Sequence, residues 1–331
     1  MTATERFRNV LNFKPVDRLP AIEWASYWDK SVKRWQAEGL GLPHDNIAIH
    51  KALGLDAHHQ FWVDPFAGDH TAYSHLLPIT DMASYEKVRP FFYQGSSSFL
   101  AHYKTIAPLQ QKGETVIWLS LHGFFWGPRI LFGIEPHMYA FYDYPDVMHR
   151  INEDLTAFNL KVIENMTAVE SPVFMTIAED MSYNHGPMLS KECFDEFLAP
   201  CYRRVIPALK EKGVIVLIDT DGQVEPMIPW LKEVGFEGCL PLERMAGVDV
   251  NRIRKNHPDW RMIGAFDKTI MHKGEAAMRA EFERLKPAVL SGGFIPSVDH
   301  QTPPGVSLED YKLYIRLLRE FAETVHIRYT D

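Results

Sequence analysis

The chain has 331 residues, of which 46% are hydrophobic and 24% are charged. This composition supports a large core and excludes general disorder. Acidic residues outnumber basic ones by 43 to 35, and the resulting net charge of -8 has the wrong sign for a protein that binds the phosphates of nucleic acid. The three cysteines form no Cys-x-x-Cys pair, so neither a disulfide framework nor a zinc finger is indicated.

The amino-terminal residues carry charges among their apolar side chains, and no apolar run in the chain is long enough to cross a bilayer. The sequence therefore predicts neither a secretory signal nor a membrane-spanning helix, and we expect a soluble, cytoplasmic protein. No low-complexity linker or internal repeat interrupts the chain, which favours one domain over residues 1–331.

The predicted strands are short apolar runs, which alternate with amphipathic segments from about residue 115 onward. They are residues 18–25, 58–64, 115–123, 171–179, 214–219, 236–243, 261–267 and 293–300. The alternation is typical of βα units, and eight strands would close an α/β fold of the single (β/α)8 TIM barrel type, with an irregular N-terminal extension. An open doubly wound sheet is the alternative, but no glycine-rich nucleotide motif follows any of these strands.

Two serines give clear helix start signals between these strands. Ser307 is followed by Asp310 three residues later and then by an apolar stripe at helical spacing, and Ser190 stands in a similar position before another helix. The sequence therefore predicts helices that begin directly after both serines.

Most of the predicted strands end in an ionisable residue. These residues are Glu23, His122, Glu179, Asp180, Asp219, Asp221, Glu243, Asp267, Asp299 and His300. The carboxyl ends of barrel strands meet at one face and build the active site there. One such residue alone is more often a helix cap or part of an exposed turn, but the repetition favours a shared site.

Asp219 and Asp221 are two residues apart, so on a continuing strand their side chains leave the same face and repel each other unless a cation or proton is shared. Together with Glu243 and His300 they offer three oxygens and one nitrogen, which suits zinc, manganese or magnesium. The alternative is an Asp-Gly turn, in which Asp219 or Asp221 caps the following helix.

Aromatic residues follow several of the predicted strands, where core packing is the default explanation for most of them. In loops at a barrel mouth, however, they are hard to bury entirely and would line an apolar pocket for a flat substrate. The predicted substrate-binding residues are Trp24, Tyr27, Trp28, His122, Phe125 and Tyr183.

Four segments of this sequence resemble the uroporphyrinogen decarboxylase superfamily. They are ERFRNVLNFKPVDRLP near the amino terminus, AEDMSYNHGPMLSKECFDEFLAPCYRRV, IDTDGQVEPMIPWLKEVGFEGCLPLE and GGFIPSVDHQTPP. The resemblance covers most of the chain and implies a single (β/α)8 barrel. The superfamily contains porphyrinogen decarboxylases and zinc-dependent methyltransferases that act with corrinoid proteins.

The resemblance is closer to the methyltransferase branch, because the arginine-rich loop of the decarboxylases is replaced here by IEWASYWDKSVKRWQ. In that branch a His-x-Cys pair, a glutamate and a late cysteine ligate zinc. The like-placed residues are Asp219 and Asp221, Glu243, and a residue near His300, so both sulfur ligands are replaced. The harder ligand set implies that an ion here polarises an oxygen or amine leaving group.

The resulting hypothesis is a methyltransferase that moves a methyl group from an O-methyl donor, such as a methoxy-arene, to a corrinoid on a partner protein. His300, or the ion, would stabilise the leaving oxygen, and Glu179, Asp180 or Asp267 would hold or protonate it. The alternatives are a cofactor-free carboxy-lyase and a non-catalytic barrel that binds a tetrapyrrole or aromatic ligand. The oligomeric state, including a homodimer, is left open by the sequence.

Overall fold

The computed structural model describes residues 1–94 and 97–325, and for residues 97 and 98 it describes the backbone only. The strands are β1 (His58–Val63), β2 (Val116–His122), β3 (Phe174–Ala178), β4 (Ser182–Tyr183), β5 (Gly186–Pro187), β6 (Ile215–Asp219), β7 (Gly238–Leu240), β8 (Arg261–Phe266) and β9 (Phe294–Val298).

The α-helices alternate with the strands along most of the chain. They are α1 (Ala3–Leu11), α2 (Asp29–Ala37), α3 (Asn46–Leu53), α4 (His70–Tyr73), α5 (Met82–Val88), α6 (Ser97–Gln111), α7 (Trp126–Phe132), α8 (Ile134–Asp143), α9 (Pro145–Thr167), α10 (Lys191–Cys193), α11 (Ala199–Lys210), α12 (Ile228–Glu233), α13 (Val250–Asn256), α14 (Glu275–Leu290) and α15 (Leu308–Thr324). A π-helical turn, Phe194–Leu198, joins α10 to α11. Short 3-10 turns include Glu225–Met227 and Lys268–Lys273.

Seven strands form one parallel sheet in the order β1-β2-β3-β6-β7-β8-β9, while β4 and β5 form a small antiparallel hairpin after β3. Every residue of β2, β3 and β9 is buried, as expected for parallel strands that are covered on both faces. Seven of the eight predicted strands are therefore confirmed, each with ends within a few residues of the predicted ones. The helix starts at Ser190 and Ser307 are also confirmed, because each serine side chain accepts a backbone N–H of the helix that follows.

The predicted first strand, residues 18–25, does not join the ladder of the sheet. Side chains occupy the backbone groups that a neighbouring strand would need. The Asp56 carboxylate accepts the Ala21 N–H, and Ser297 Oγ accepts the Trp24 N–H and donates to the Ile22 carbonyl. This segment nevertheless bridges β9 and the residue range before β1, so the two edges of the curled sheet approach each other here.

The helices pack against the sheet over one continuous hydrophobic core. Within the described part of the chain, none of the helices combines the length and the apolar character that crossing a membrane requires.

Candidate active site

A cavity of about 250 Å³ lies at the carboxyl ends of the parallel strands, and we call it the acidic cavity. Its lining residues are Trp24, Ala25, Ser26, Gln60, Trp62, Trp126, Ala178, Asp180, Asp219, Asp221, His300 and Gln301. Ala178 ends β3 and Asp219 ends β6, while His300 follows β9 by two residues. Four of the ten predicted strand-end residues, Asp180, Asp219, Asp221 and His300, therefore line one cavity at this face of the sheet.

Three of the four predicted metal ligands come together beside this cavity. One carboxylate oxygen of Asp221, one of Glu243 and one ring nitrogen of His300 lie within 4.8 Å of one another. His300 Nε2 is 3.5 Å from Asp221 Oδ2, and this contact with Asp221 raises the pKa of His300. The Gly222 N–H donates to Glu243 Oε2 at 3.0 Å, which fixes the second carboxylate.

The donor atoms of this cluster fit a divalent cation. Two carboxylate oxygens and an imidazole nitrogen are ordinary ligands for zinc, with bonds of about 2.0–2.2 Å. Ligand atoms around such an ion stand roughly 3.4 Å apart, so small side-chain movements suffice to close the set. The cluster supplies three ligands, which leaves a coordination position open to a substrate.

Asp219 lies next to this cluster but is not a member of it. Its carboxyl lines the acidic cavity, where burial, together with the charges of Asp180 and Asp221, raises its pKa well above the ordinary value. The helix-cap alternative is not supported for either aspartate of the Asp-x-Asp pair, because the turn Glu225–Met227 has Val224 at its N-cap and no side-chain cap.

Asp180 is held in the left-handed region of the backbone map, with φ 43°. A β-carbon is strained there, and such strain is often found at functional sites. The Asp180 carbonyl accepts from Arg129 Nη1 at 3.2 Å, and its side chain lines the acidic cavity. Burial and the nearby Asp221 raise the pKa of Asp180 to about 6, which suits a group that exchanges protons near neutral pH.

Lys268 completes the charge pattern, and the sequence analysis missed it. Its Nζ is 3.7 Å from Glu243 Oε1 and 3.5 Å from Asp299 Oδ1. Asp299 is fully buried and also accepts the N–H groups of Arg244 and Lys268, so it joins the loops that follow β7, β8 and β9. A signal was present in the sequence, since Lys268 is ionisable and directly follows a predicted strand end.

Glu179 is at the end of β3 but faces away from the acidic cavity. It is 1% exposed and accepts the backbone N–H groups of Phe124, Phe125 and Trp126 at 2.8–3.0 Å, together with the Tyr202 hydroxyl. Burial raises the pKa of Glu179 to about 7, while the bonds from Tyr202 and the backbone oppose that rise. These contacts indicate that Glu179 holds the start of α7 in place rather than a substrate.

Asp267, which the sequence predicts as a possible catalytic acid, makes a local structural contact. Its Oδ1 accepts the Thr269 N–H at 2.8 Å and the Thr269 hydroxyl at 2.6 Å, as the N-cap of the turn Lys268–Lys273. It does not line the acidic cavity. Asp267 is therefore a helix cap, which is the usual role of a single ionisable residue at a strand end.

The predicted aromatic wall forms, but largely from other residues. Of the predicted set, Trp24 lines the acidic cavity. Tyr27 and Phe125 are buried in the core, Trp28 and Tyr183 are exposed outside the cavity, and His122 is buried. His122 accepts a hydrogen bond from Trp62 Nε1 at 2.8 Å, and burial lowers the pKa of His122 to about 4.

The aromatic residues that do line the cavity with Trp24 are Trp62 and Trp126. Trp62 lies on β1 between two buried residues and is itself exposed. Its place in this alternation is the signal that could have identified it as a cavity residue. The Arg129 guanidinium lies over the Trp126 ring at 5.1 Å, which is within the range of a cation–π contact.

A parallel α/β sheet with ionisable side chains gathered in a cavity at the carboxyl ends of its strands is the arrangement of an α/β enzyme. The chain belongs to the uroporphyrinogen decarboxylase (URO-D) family, whose model matches residues 29–321. Among curated proteins, none matches the sequence of this chain.

The solved structures that resemble this chain include a methyltransferase from Methanosarcina mazei. It is 16% identical, with a TM-score of 0.66, and the alignment covers 97% of this chain and 99% of that chain. At this identity the likeness shows a shared fold. A beta-glycosidase is similar at a TM-score of 0.46 and 11% identity, over 96% of this chain and 99% of that chain.

Proposed function

We propose that this protein is a metal-dependent methyltransferase that moves a methyl group from an O-methyl donor to a corrinoid carried by a partner protein. The observation that carries the proposal is the cluster of Asp221, Glu243 and His300 beside an aromatic-walled cavity. Membership of the URO-D family and the shared fold with a methyltransferase support it.

The architecture that we infer with this function is a single-domain (β/α)8-type barrel, in which residues 18–25 take the place of the eighth strand. Its support is the contact of this segment with Asp56 before β1 and with Ser297 of β9. The acidic cavity would then be the barrel mouth, and a wide mouth is needed because the corrinoid face must approach the methyl group.

Asp221, Glu243 and His300 would hold the ion, with zinc favoured and another divalent metal as the alternative. When bound, such an ion acts as a Lewis acid that stabilises negative charge on a leaving oxygen. Lys268 adds a fixed positive charge beside Glu243. His300 would hold the ion as a neutral imidazole, so binding of the ion would displace the proton that the contact with Asp221 favours. The chain thus places the charge of Lys268 close to the developing anion.

The neighbouring groups would position the donor and supply the proton. Trp24, Trp62 and Trp126 present flat apolar surfaces that suit a methoxy-arene. Asp180 would protonate the leaving oxygen once the bond between methyl carbon and oxygen breaks and the bond between methyl carbon and cobalt forms. Its raised pKa keeps part of the population protonated near neutral pH.

The charge of the acidic cavity argues against a porphyrinogen substrate, and thus against the carboxy-lyase alternative. Three aspartates and neither lysine nor arginine are among the residues that line the cavity. A molecule with many carboxylates would be repelled by this field.

The direct test is methyl transfer to cob(I)alamin from a panel of methoxy-arenes, with metal content measured on protein purified without chelator. We expect turnover that a chelator abolishes and added Zn²⁺ restores. Absence of turnover with metal present would contradict the proposal. Decarboxylation of uroporphyrinogen would favour the lyase, and ligand binding without either activity would favour a non-catalytic barrel.

The pH dependence of this reaction tests the role of Asp180. The pKa of Asp180 is raised to about 6, so its protonated form is lost as the pH rises through 6. If Asp180 is the proton donor, the pH profile of kcat/KM should have a descending limb above that pH. Asp180→Asn should remove the limb and lower the rate about 100-fold. A limb that is unchanged in Asp180→Asn would assign the proton transfer to another group.

A further inference from the structure

A second cavity, of about 230 Å³, lies beside the acidic cavity, and we call it the histidine cavity. It is lined by Trp24, Ala25, Ser26, Asp45, Asn46, Ile47, His50, His58, His59, Gln60, Phe61 and His102. Trp24, Ala25, Ser26 and Gln60 line both cavities. The two cavities therefore share a wall, and a single molecule that occupied both would have to pass through it.

The shared wall is the place where the ladder of the sheet is interrupted. For residues 22–26 and β1, both within the described range, no backbone hydrogen bond joins the two segments. The last such bond before this gap runs from the Asp56 N–H to the Ala21 carbonyl. An opening between Trp24 and Gln60 requires no ladder bond to break.

Two histidines that line the histidine cavity carry buried ring nitrogens that lack a protein partner. Both ring nitrogens of His50 and Nδ1 of His58 are buried and have no hydrogen-bond partner among the described residues. The two rings stack at 5.0 Å, and the residues are 5% and 8% exposed. Buried polar groups are normally satisfied, so these nitrogens point to a ligand that hydrogen-bonds them.

The chemistry of the cavity selects a neutral ligand group. Burial lowers the pKa values of His50 and His58 well below the ordinary value, so both rings are neutral, and each neutral ring offers one donor and one acceptor. The rim carries the Asp45 carboxylate, which already accepts the N–H groups of Ile47 and Ala48 and would repel an anion. A hydroxyl group both donates and accepts, and it matches the two rings best.

We propose that the histidine cavity binds a neutral, hydroxyl-bearing extension of the methyl donor whose methoxy-aromatic end lies in the acidic cavity. This proposal rests on the proposed function only for the methoxy-aromatic end of the donor. Binding of the hydroxyl-bearing extension is argued from the residues of the histidine cavity. It makes the donor a substituted aryl ether rather than a simple methoxy-arene.

The test compares three probes that share one ring: guaiacol, its neutral glyceryl ether and its O-acetic acid derivative. The readout is the NMR spectrum of protein with ¹⁵N-labelled histidine rings, together with binding affinity. We expect the glyceryl ether to shift the His50 and His58 signals and to bind about tenfold more tightly than guaiacol. Guaiacol should leave those signals unchanged, and the acid should bind more weakly than the ether.

His50→Phe removes two of the three unpartnered nitrogens and should abolish the affinity advantage of the glyceryl ether while leaving guaiacol binding unchanged. His75→Phe, an exposed site outside both cavities, is the matched control. If His50→Phe does not fold, the spectra of the wild-type protein still decide. Absence of any shift at His50 and His58 with the glyceryl ether, which indicates occupancy by water alone, overturns the proposal.

The two proposals fail in different ways. Histidine shifts without methyl transfer to cob(I)alamin would support the second site and contradict the proposed function. Methyl transfer from guaiacol at the same kcat/KM as from the glyceryl ether, with unshifted histidines, would support the function and overturn the second site.

Discussion

Replacing Asp221 with alanine is expected to weaken Zn²⁺ binding by more than about 100-fold, because even residues behind the ligands of a metal typically contribute 10–100-fold to its affinity. Asp221 is the carboxylate that contacts His300, at 3.5 Å, and it is one of three potential ligands in the cluster. Methyl transfer should be lost to a similar extent.

The same substitution should leave the fold intact. Asp221 is partly exposed and does not cap a helix, and its charge raises the pKa values of Asp180 and Asp219. Removing that charge relieves repulsion, so the free energy of unfolding should stay within about 1 kcal/mol of the wild-type value.

Metal titration and urea unfolding of the Asp221→Ala protein measure both expectations. Asp219→Asn is the informative comparison, because Asp219 lies beside the cluster but outside it and should keep most of the metal affinity. Asp143→Ala, at an exposed site, should change neither quantity. Wild-type metal affinity in Asp221→Ala, or loss of its folded structure, would contradict the assignment of a metal site.

Most of the fold could be predicted from local sequence, because each parallel strand is a short apolar run bounded by an amphipathic helix. The failure at residues 18–25 has a long-range cause. The groups that interrupt its ladder are the Asp56 carboxylate and the Ser297 hydroxyl, and Ser297 is more than 270 residues away from this segment. No pattern within an apolar run indicates that a distant side chain will bind its backbone.

The candidate site could be predicted by position more reliably than by role. Asp221, Glu243 and His300 come together because the carboxyl ends of parallel strands share one face. Glu179 and Asp180 are adjacent in sequence, yet one accepts backbone N–H groups in the core and the other lines the acidic cavity. The left-handed backbone at Asp180 separates their directions, and the sequence gives no sign of it.

Replacing Glu179 with alanine is expected to lower the free energy of unfolding by about 4 kcal/mol. The change leaves three backbone N–H groups and the Tyr202 hydroxyl without their acceptor, and a buried donor without a partner costs about 1–3 kcal/mol. Glu179→Gln keeps the shape but presents NH₂ hydrogens to some of those donors, so it should cost about 2 kcal/mol.

Urea unfolding measures this prediction. Glu135→Ala provides a control, because Glu135 is also a glutamate near a helix start, in the first turn of α8, but is exposed. It should change the free energy of unfolding by less than about 0.5 kcal/mol. If Glu179→Ala and Glu135→Ala unfold at the same urea concentration, the structural role of Glu179 is contradicted.

The same packing can be tested from the other side of the contact through Gly123. A β-carbon at this position would lie far inside van der Waals contact with the Glu179 carboxyl group, and four hydrogen bonds hold that group in place. Gly123→Ala should therefore cost at least about 2 kcal/mol. Gly305→Ala, where a β-carbon meets nothing within 4 Å, is the control.

The Glu179→Gln protein also decides between the structural role and the catalytic one that the sequence predicted. If Glu179 only holds the start of α7, which carries Trp126 into the acidic cavity, kcat per folded molecule should stay within about threefold of the wild type. KM for the methoxy-arene would then rise with the loosened tryptophan. A fall in kcat of about 100-fold or more in protein that is fully folded would restore Glu179 as the group that protonates the leaving oxygen.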